Sequence, residues 1–462
     1  MNIFNKILPE VNYLIEKITA LKEYKSHVVL PDIHLKPQME APSSFGVSTG
    51  KYIVPSLASA AINDGMSIIK LPFKASDLTD EIVQEFFREV NSNASDSKFK
   101  MNKYSLSKEE MINACLYGAK AVQEKFGLTD QTIENIELKG AISDGLTRED
   151  VKRIVPNALL SSTFSRAEFG LNFRGNHFLE MQKVGKINDK VTNAPEKMEI
   201  GDITMMTHLG PGPFSGNLMR LYSKREKIPT NYKPLYFAAK VYFHFMSFAN
   251  TKLPLKEKFN KFLFPDKYEA FDSETASGKD LYKLLQIATN VGFAYQMGTF
   301  AAVKDGVKHI QKKYNLPKGE VKLIWNVSHN SIYFEQVKAE KEFVVRHNSV
   351  RLYNNKPTIL AGSYDVCSCI GLAYDINQNK YMNTYDHGIG SILARLKEED
   401  ALEYGEEVSK RYYFKRDSGE IEKIKEAKLV KSPIMEKVAN HFDESTVFQP
   451  WFYVDPIATL KN

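Results

Sequence analysis

The chain has 462 residues, of which 43% are hydrophobic and 26% are charged, and its formal net charge is +6 at pH 7. These proportions are ordinary for a globular protein, so we expect a sizeable buried core. The charge permits a polyanionic partner but does not demand one, because a solvated surface could carry the same excess.

The cysteine content excludes a disulfide framework, because the three cysteines are Cys115, Cys367 and Cys369. The spacing of the last two places both sulfurs on one face of a strand, where we expect buried apolar groups rather than ligands. The N-terminus lacks the apolar region and cleavage site of a signal peptide. Residues 281–302 are interrupted by Lys, Gln, Asn and Gly, so no apolar run reaches membrane-spanning length. We therefore expect a cytoplasmic protein with no membrane partner.

The predicted elements alternate irregularly and indicate an α+β fold. Capping boxes at Ser107-Lys-Glu-Glu110 and Thr147-Arg-Glu-Asp150 begin two helices, and the first of them ends at Gly127. A long helix is predicted over 279–314. Strand-like runs are predicted at 28–30, 322–325, 331–335, 343–345 and 358–360.

No linker, repeat or low-complexity tract divides the chain, which predicts one domain over 1–462. Within that domain, a segment over about 224–271 is rich in Lys, Phe and Tyr and is predicted to be helical and basic. It could bind RNA backbone and bases, or it could present an ordinary solvated helical face.

Half of the ten histidines lie in short segments rich in turn-forming residues, namely His34, His177, His208, His329 and His387. Imidazole can bind a metal ion, shuttle a proton or act as a nucleophile at neutral pH. Gly, Pro and Asn beside it indicate backbone held at special angles or close to a ligand. Because these segments are spread over most of the chain, we predict a fold that converges on one polar centre.

Several of these segments have a structural interpretation as well as a functional one. Asp64 precedes a glycine and could be a turn residue or a metal ligand. The Gly- and Pro-rich stretch after His208 is predicted to be irregular, and it could offer N–H groups to an anion or be a plain loop. His329 lies between two strand-like runs, where it could be a ligand or a hydrogen-bonded core histidine.

Two further segments combine several polar groups. If residues 175–180 are extended, His177 could face a metal while Asn176 and Glu180 face a polar ligand. In the segment 386–390, glycines after His387 would let a nucleotide phosphate approach the backbone, and the aspartate before it could orient a nucleophile.

Taken in chain order, these segments resemble the RNA-splicing ligase RtcB family. The matching segments are Pro31-Asp-Ile-His34, Ala61-Ile-Asn-Asp-Gly-Met66, Gly175-Asn-His-Phe-Leu-Glu180, His208-Leu-Gly, Asn326-Val-Ser-His-Asn330, Leu360-Ala-Gly-Ser-Tyr364, His387-Gly-Ile-Gly390 and Pro456-Ile-Ala-Thr-Leu-Lys461. The resemblance covers nearly the whole chain. It implies a single α+β domain with mixed sheets around a central metal and nucleotide cleft.

The resemblance also implies an activity, which is GTP- and Mn²⁺-dependent ligation of RNA. Ends that carry a 2′,3′-cyclic phosphate or 3′-phosphate would be joined to 5′-hydroxyl ends, as in RNA repair or tRNA splicing. His387 would carry GMP as a phosphoramidate, and Asp32 would lie in the same catalytic centre. A monomer is expected, and a helper protein could activate it.

The ligand-binding residues follow from the same resemblance. One or two Mn²⁺ ions would be held by Asp64, His177, His208 and His329. The guanylate would be surrounded by Asn176, His177, Phe178, Leu179, Glu180, His329, Asn330, Ala361, Gly362, Ser363, Tyr364, Ser368, His387, Gly388, Ile389, Gly390 and Lys461.

The chain departs from the family at several motif positions. Ala61 stands in place of a metal-binding aspartate, and Asp64 stands in place of a bridging cysteine. A carboxylate favours Mn²⁺ or Mg²⁺, but one anionic ligand is lost. Ser391 replaces an arginine, and Asn348 replaces a glycine. Two alternatives therefore stay open, which are a catalytically impaired RNA- or nucleotide-binding relative and a metal-dependent cyclic phosphodiesterase.

Overall fold

A computed structural model gives the conformation of most of the chain. It describes residues 4, 7–36, 39–92, 101–167, 169, 171, 173, 175–222, 233–246, 253–374, 380–415, 420–444 and 448–461. The α-helices are α1 Pro9–Thr19, α2 Asp80–Ser92, α3 Lys108–Tyr117, α4 Gln123–Phe126, α5 Asp130–Glu134, α6 Arg148–Ile154, α7 Asn157–Ser161, α8 Thr163–Arg166, α9 Gly212–Tyr222, α10 Lys233–Val241, α11 Leu255–Lys258, α12 Ala276–Tyr314, α13 Gly390–Glu398 and α14 Ile434–Glu444.

The strands form mixed sheets. They are β1 Ser26–His34, β2 Ser43–Ser48, β3 Tyr52–Ile53, β4 Gly65–Lys74, β5 Phe178–Ile187, β6 Asp202–Leu209, β7 Phe271–Asp272, β8 Lys322–Ser328, β9 Asn330–Val337, β10 Glu340–His347, β11 Ser349–Arg351, β12 Pro357–Leu360, β13 Ser368–Ala373, β14 Thr384–Asp386, β15 Tyr404–Lys415, β16 Glu420–Val430 and β17 Phe448–Lys461. Each predicted strand-like run lies inside one of these strands. The expected α+β class is confirmed.

A nine-stranded central sheet separates two apolar cores. Its order is β12-β13-β17-β5-β6-β4-β8, and the β15–β16 hairpin joins it through β15, which runs parallel to β17. A four-stranded sheet, β1-β2-β10-β9, lies apart from it. Along β5 and β6, Leu179 and Met205 belong to one core, whereas Phe178 and Met206 contact the other. This alternation is the two-residue period of strands that are covered on both faces.

The long helix α12 lies in the first core and supports the sheet. Every residue from 284 to 303 is buried, as expected for a helix packed on all sides. The helix begins at Ala276, three residues before the predicted start, because the Thr275 side chain accepts a hydrogen bond from Gly278 N. Within the described residues, no helix is both long enough and apolar enough to cross a membrane.

The two predicted capping boxes are confirmed. The Ser107 and Thr147 side chains accept hydrogen bonds from the backbone N–H groups of Glu110 and Asp150, respectively. The first helix is interrupted at Gly118, where φ is +55°, and the helical path then continues to Phe126. Gly127, with φ of +57°, ends it as predicted.

The prediction of irregular structure after His208 is wrong for residues 212–216. Helix α9 begins at Gly212 with Pro213 in its first turn, where the missing proline N–H has no helical partner to lose. In the basic segment, the described residues 233–246 and 255–263 are helical, with π-helical turns at Tyr242–Met246 and Phe259–Leu263. The helical prediction is wrong for residues 264–271, a non-helical stretch that contains Pro265 and leads into β7. Residues 224–232 and 247–252 of that segment lie outside the described residues.

Candidate active site

Four adjacent strands bring three of the histidine motifs and Asp64 to one edge of the central sheet. Asp64 immediately precedes β4, whose first residues pair with the end of β6, which carries His208. On its other side, β4 pairs with the end of β8, which leads into His329. Phe178 of β5 pairs with His208, so His177 lies just before that strand at the same edge. Side chains distant in the sequence therefore meet because their strands are neighbours.

The histidine rings contact one another. The Nε2 atoms of His208 and His329 are 2.8 Å apart. The ring of His387 is stacked on that of His329 with centroids 4.5 Å apart, and it lies 5.8 Å from that of His208. The His177 and His208 centroids are 5.6 Å apart. The predicted convergence on one polar centre is therefore observed for four of the five histidines.

The remaining histidine, His34, lies at the end of β1 and bonds through Nδ1 to the Asp32 carbonyl at 2.6 Å. Burial lowers the pKa of His34. His34 therefore lies beside Asp32.

The turn that carries Asp64 is held rigidly by α12 and by the start of β9. Asn63 has a left-handed φ of +57°, and its amide group donates to the Thr289 carbonyl at 2.6 Å. The Gln296 side chain donates to the Asn63 carbonyl at 2.9 Å. Asn63 N also donates to the Asn330 carbonyl at 2.8 Å. The backbone before Asp64 is thus fixed on both sides.

Asp64 is a buried carboxylate surrounded by imidazoles. Its Oδ2 lies 3.1 Å from Nε2 of His177, and its Oδ1 lies 3.6 Å from Nε2 of His329. Burial alone would raise the pKa of Asp64, but His177 and His329 hold that pKa well below its usual range. Asp64 is therefore ionised and supplies a negative charge at the middle of the cluster.

Two imidazoles of the cluster, those of His208 and His387, are largely uncharged near neutral pH. Burial, reinforced by His329, lowers the pKa of His208 well below its ordinary value. Burial, followed by the neighbouring His329 and His208, does the same to the pKa of His387. Neutral imidazole keeps a lone pair on one nitrogen, which both metal binding and nucleophilic attack require.

The residues present fit a divalent cation. Among the described residues, the buried Oδ1 atom of Asp64 has no hydrogen-bond partner, although such an atom normally has one. One ligand atom each from His208, His329 and His387 lies within 4.8 Å of the other two. Carboxylate oxygen suits Mn²⁺ or Mg²⁺ and imidazole nitrogen suits Fe²⁺ or Zn²⁺, so this donor set fits a divalent transition-metal ion. Asp64, His208 and His329 would hold the ion. His177 would stay hydrogen-bonded to Oδ2, the second carboxylate oxygen of Asp64.

The tautomer of His329 depends on Asn330. The Asn330 amide nitrogen lies 3.1 Å from Nδ1 of His329, while its oxygen accepts from Asn348 N at 3.1 Å. This arrangement puts the His329 proton on Nε2. Coordination through Nε2 therefore requires that the carboxamide turn its oxygen to His329 and that the proton move to Nδ1.

A backbone carbonyl orients His387, and the suggestion that Asp386 orients it is wrong. Nδ1–H of His387 donates to the Asn348 carbonyl at 2.8 Å. Asp386 faces away, because its Oδ2 accepts from Asp32 N at 3.0 Å. The hydrogen bond to Asn348 leaves the lone pair of His387 on Nε2.

Asp32 caps the helix that follows the His387 loop. Its Oδ1 accepts from Ile392 N, in the first turn of α13, at 2.8 Å. An aspartate oxygen satisfies an unpaired N–H group at a helix N-terminus. Burial, and then repulsion from Asp386, raises the pKa of Asp32 well above its ordinary value. Asp32 therefore holds the segment 388–392 against β1.

The predicted guanylate residues fall into two groups. The turn at 361–368 is joined to the histidine loop, because Ala361 N donates to the His387 carbonyl and Ile389 N donates to the Ala361 carbonyl, each at 3.0 Å. Within the turn, Ser368 Oγ accepts from Gly362 N at 3.0 Å. Ser363, Tyr364, Gly388 and Gly390 lie in these two joined loops.

The second group lies along β5 and β17. Glu180 is buried, and its carboxylate accepts from Thr459 Oγ1 and from Gln182 Nε2, each at 2.7 Å. Lys461 is two residues beyond Thr459 on the same strand. Asn176 is exposed before β5, and Phe178 packs partly against the second core. The side chain of Leu179 lies in the first core, on the other face of the sheet.

Two departures from the family also have a place in the structure. Ala61 lies in the turn before Asp64, where its carbonyl accepts from Asp64 N at 3.1 Å, so this position supplies no second carboxylate. Asn348 has φ of +51°, a conformation that glycine adopts freely and asparagine tolerates. The replacement of a glycine by asparagine is the sequence signal that agrees with this backbone. Thr459 lies within the matching segment 456–461, but only the structure shows its hydrogen bond to Glu180.

Comparison with known proteins agrees with this geometry. A family model described as tRNA-splicing ligase RtcB matches residues 15–462. The chain belongs to the RtcB family. The RtcB tRNA-splicing ligase of Nanoarchaeum equitans is 23% identical over 421 residues, which are 84% of this chain and 78% of that protein. The one of Thermococcus kodakarensis is 21% identical over 401 residues, which are 80% and 74% of the two chains.

A shorter match is found with the RtcB tRNA-splicing ligase of Methanopyrus kandleri, which is 28% identical over 191 residues, or 39% of this chain and 19% of that protein. The predicted family resemblance is confirmed, and the low identities make this chain a distant RtcB member. The roles of single residues therefore rest on their geometry.

Proposed function

We propose that this RtcB-family protein is a GTP- and Mn²⁺-dependent RNA ligase that acts through a His387–GMP intermediate. It joins RNA ends with a 2′,3′-cyclic phosphate or 3′-phosphate to 5′-hydroxyl ends. The observation that best supports the proposal is the hydrogen bond from Nδ1 of His387 to the Asn348 carbonyl. That bond fixes the tautomer whose Nε2 lone pair is available for attack on phosphorus.

The reaction has three phosphoryl-transfer steps. Nε2 of His387 attacks the α-phosphorus of GTP, and the bond to pyrophosphate breaks. An oxygen of the RNA 3′-phosphate then attacks the same phosphorus, breaking the P–N bond and forming an activated end. Finally the 5′-hydroxyl attacks the phosphorus of that end, GMP leaves, and the hydroxyl proton passes to solvent. A cyclic phosphate must first be opened by water to the 3′-phosphate.

Such transfers need positioning and charge neutralisation more than acid–base chemistry. A divalent cation held by Asp64, His208 and His329 would supply charge neutralisation at the phosphate oxygens. Asp32 keeps the His387 loop in place by capping α13. The joined loops at 361–368 and 387–390 provide a backbone surface beside the nucleophile for the guanylate.

Transfer of label from α-³²P-GTP to the protein tests the proposal. With Mn²⁺ present, we expect acid-labile label on the denatured wild-type chain and none on His387→Ala. His309→Ala is the matched control, because this histidine lies on α12 in hydrogen-bond contact with Glu85 and its replacement should leave labelling unchanged. Absence of label on the wild type, or equal label on His387→Ala, contradicts the proposal.

The substitution at Ala61 favours a second candidate, a relative that opens cyclic phosphates or binds RNA without sealing it. RNA fragments with cyclic-phosphate and 5′-hydroxyl ends distinguish the three activities. We expect joined RNA. Fragments that are opened but not joined indicate a phosphodiesterase, and unchanged fragments indicate a binding protein.

A further inference from the structure

Three polar side chains from adjacent strands lie side by side on the sheet face that carries His208. Arg411 of β15 pairs with Thr459 of β17, and Thr459 pairs with Glu180 of β5. Directly opposite residues in adjacent strands project to the same face, and the hydrogen bond from Thr459 to Glu180 agrees with this arrangement. Glu180 in turn pairs with Met206, two residues before His208. Two residues along a strand span roughly 7 Å, so the end of the row at Met206 lies about that far from His208.

The guanidinium of Arg411 lies over the ring of Tyr364. Its central carbon is 3.7 Å from the ring centroid, which is a close cation–π contact. Tyr364 belongs to the turn at 361–368, which is joined to the His387 loop through Ala361 and Gly388. Among the described residues, the buried Nε–H of Arg411 has no hydrogen-bond acceptor. A donor without an acceptor therefore lies beside Tyr364 and in one row with Glu180, both of which are predicted guanylate residues.

Arg411 also acts electrostatically on the two ionisable residues expected around the guanylate. Burial lowers the pKa of Lys461, and the charge of Arg411 lowers it further. Burial raises the pKa of Glu180, and Thr459, Gln182 and Arg411 oppose that rise. Arg411 and Lys461 are hydrogen-bond donors, and the carboxylate of Glu180 is an acceptor. The polar edge of a guanine base requires both kinds of group.

We propose that Arg411 selects guanine over adenine by donating hydrogen bonds to O6 and N7 of the base. The proposal rests on the proposed function, because it assumes that a guanylate binds at this site. Guanine offers acceptors at O6 and N7, and the arginine fork matches such a pair. Adenine places an amino donor at the position of O6. One N–H donor of the Arg411 guanidinium would then have no acceptor.

Binding of nucleoside monophosphates to the intact protein with Mn²⁺ tests base selection apart from phosphoryl transfer, because a monophosphate has no pyrophosphate to release. GMP, IMP and AMP are titrated by calorimetry. IMP keeps O6 and N7 but lacks the 2-amino group, so a loss that GMP and IMP share cannot come from the 2-amino group. We expect Arg411→Gln to weaken GMP and IMP binding by a common factor of about 10 or more. AMP binding should not change.

Two further variants make the result specific. Arg411→Lys keeps the charge but loses the fork, and it should show most of the same loss. Lys410→Gln is the matched control, because Lys410 pairs with Ala458 of the first core, lies on the opposite face of β15 and forms ion pairs with Asp80 and Glu426. It removes one charge from the neighbouring position and should leave all three affinities unchanged.

The outcomes separate the two proposals. If the wild type binds GMP well but Arg411→Gln weakens GMP and AMP equally, or weakens neither, Arg411 does not select the base and the guanylate site stands. If the wild type binds GMP no better than AMP, both the role of Arg411 and the guanylate part of the proposed function are wrong. Thermal unfolding checks each variant, and the result for Arg411→Lys decides if Arg411→Gln does not fold.

Discussion

The carbonyl of Asn348 accepts the hydrogen bond from Nδ1 of His387 at 2.8 Å, while the backbone N–H of Asn348 donates to the side chain of Asn330. Asn330 in turn contacts His329. One residue with a left-handed backbone therefore orients His387 and, through Asn330, the histidine beside it. This dependence on backbone conformation can be tested by substitution.

Asn348→Gly should be tolerated, and Asn348→Val should not. Glycine keeps the carbonyl and adopts a φ of +51° without strain, whereas a β-branched residue there costs on the order of 1–2 kcal/mol or shifts the backbone. We expect guanylylation close to wild type for Asn348→Gly and a large loss for Asn348→Val. Labelling rates with thermal unfolding measure this, and equal rates for the two variants would show that the carbonyl position is unimportant.

Asp64 should control metal binding. Asp64→Ala removes the anionic group at the middle of the cluster, so we expect Mn²⁺ affinity to fall by at least about 10-fold. Asp64→Cys should shift the preference toward Zn²⁺, since thiolate is the softer ligand. Metal titration followed by elemental analysis measures both effects. Asp150→Asn, outside the site, is the control, and an unchanged affinity in Asp64→Ala would remove Asp64 from the ligand set.

Asp386 should make folding stability depend on pH. Burial raises the pKa of its carboxyl from 3.8 to about 7, so the folded state favours the protonated form. The stability that this group contributes is fully present below pH 4 and is lost as the pH rises to about 7. Relative to wild type, Asp386→Asn should therefore become progressively more stable over that range. Chemical denaturation of both proteins at pH 4 and pH 7 measures this. The expectation is contradicted if the difference in unfolding free energy between Asp386→Asn and wild type is the same at both pH values.

Two glycines of the joined loops should respond differently to alanine. A Cβ at Gly362 would lie 2.2 Å from the Cys367 carbonyl oxygen, so Gly362→Ala should cost about 1–3 kcal/mol of unfolding free energy. A Cβ at Gly390 would meet nothing within 4 Å, and Gly390→Ala should be neutral or stabilise by about 0.4–1 kcal/mol. Chemical denaturation measures the difference. A reversed order of stabilities would show that the turn at 361–368 is packed differently.

Most of the local structure could be predicted from the sequence, because it depends on residues near one another in the chain. The capping boxes at Ser107 and Thr147 and the end of the helix at Gly127 are of this kind. The strand-like runs were also correct. The helix at Gly212 was missed, because a proline in a first turn and a proline in a loop give the same local pattern.

By itself, the sequence determined which chemical groups the protein has and to which family it belongs, since both are encoded in short motifs and their order. Only the tertiary structure decided which atoms meet. The contacts from His387 to Asn348, from His177 to Asp64 and from Ile392 to Asp32 join residues 39, 113 and 360 positions apart. Such contacts depend on strand order, register and the packing of loops on the sheet edge, which no local pattern of residues specifies.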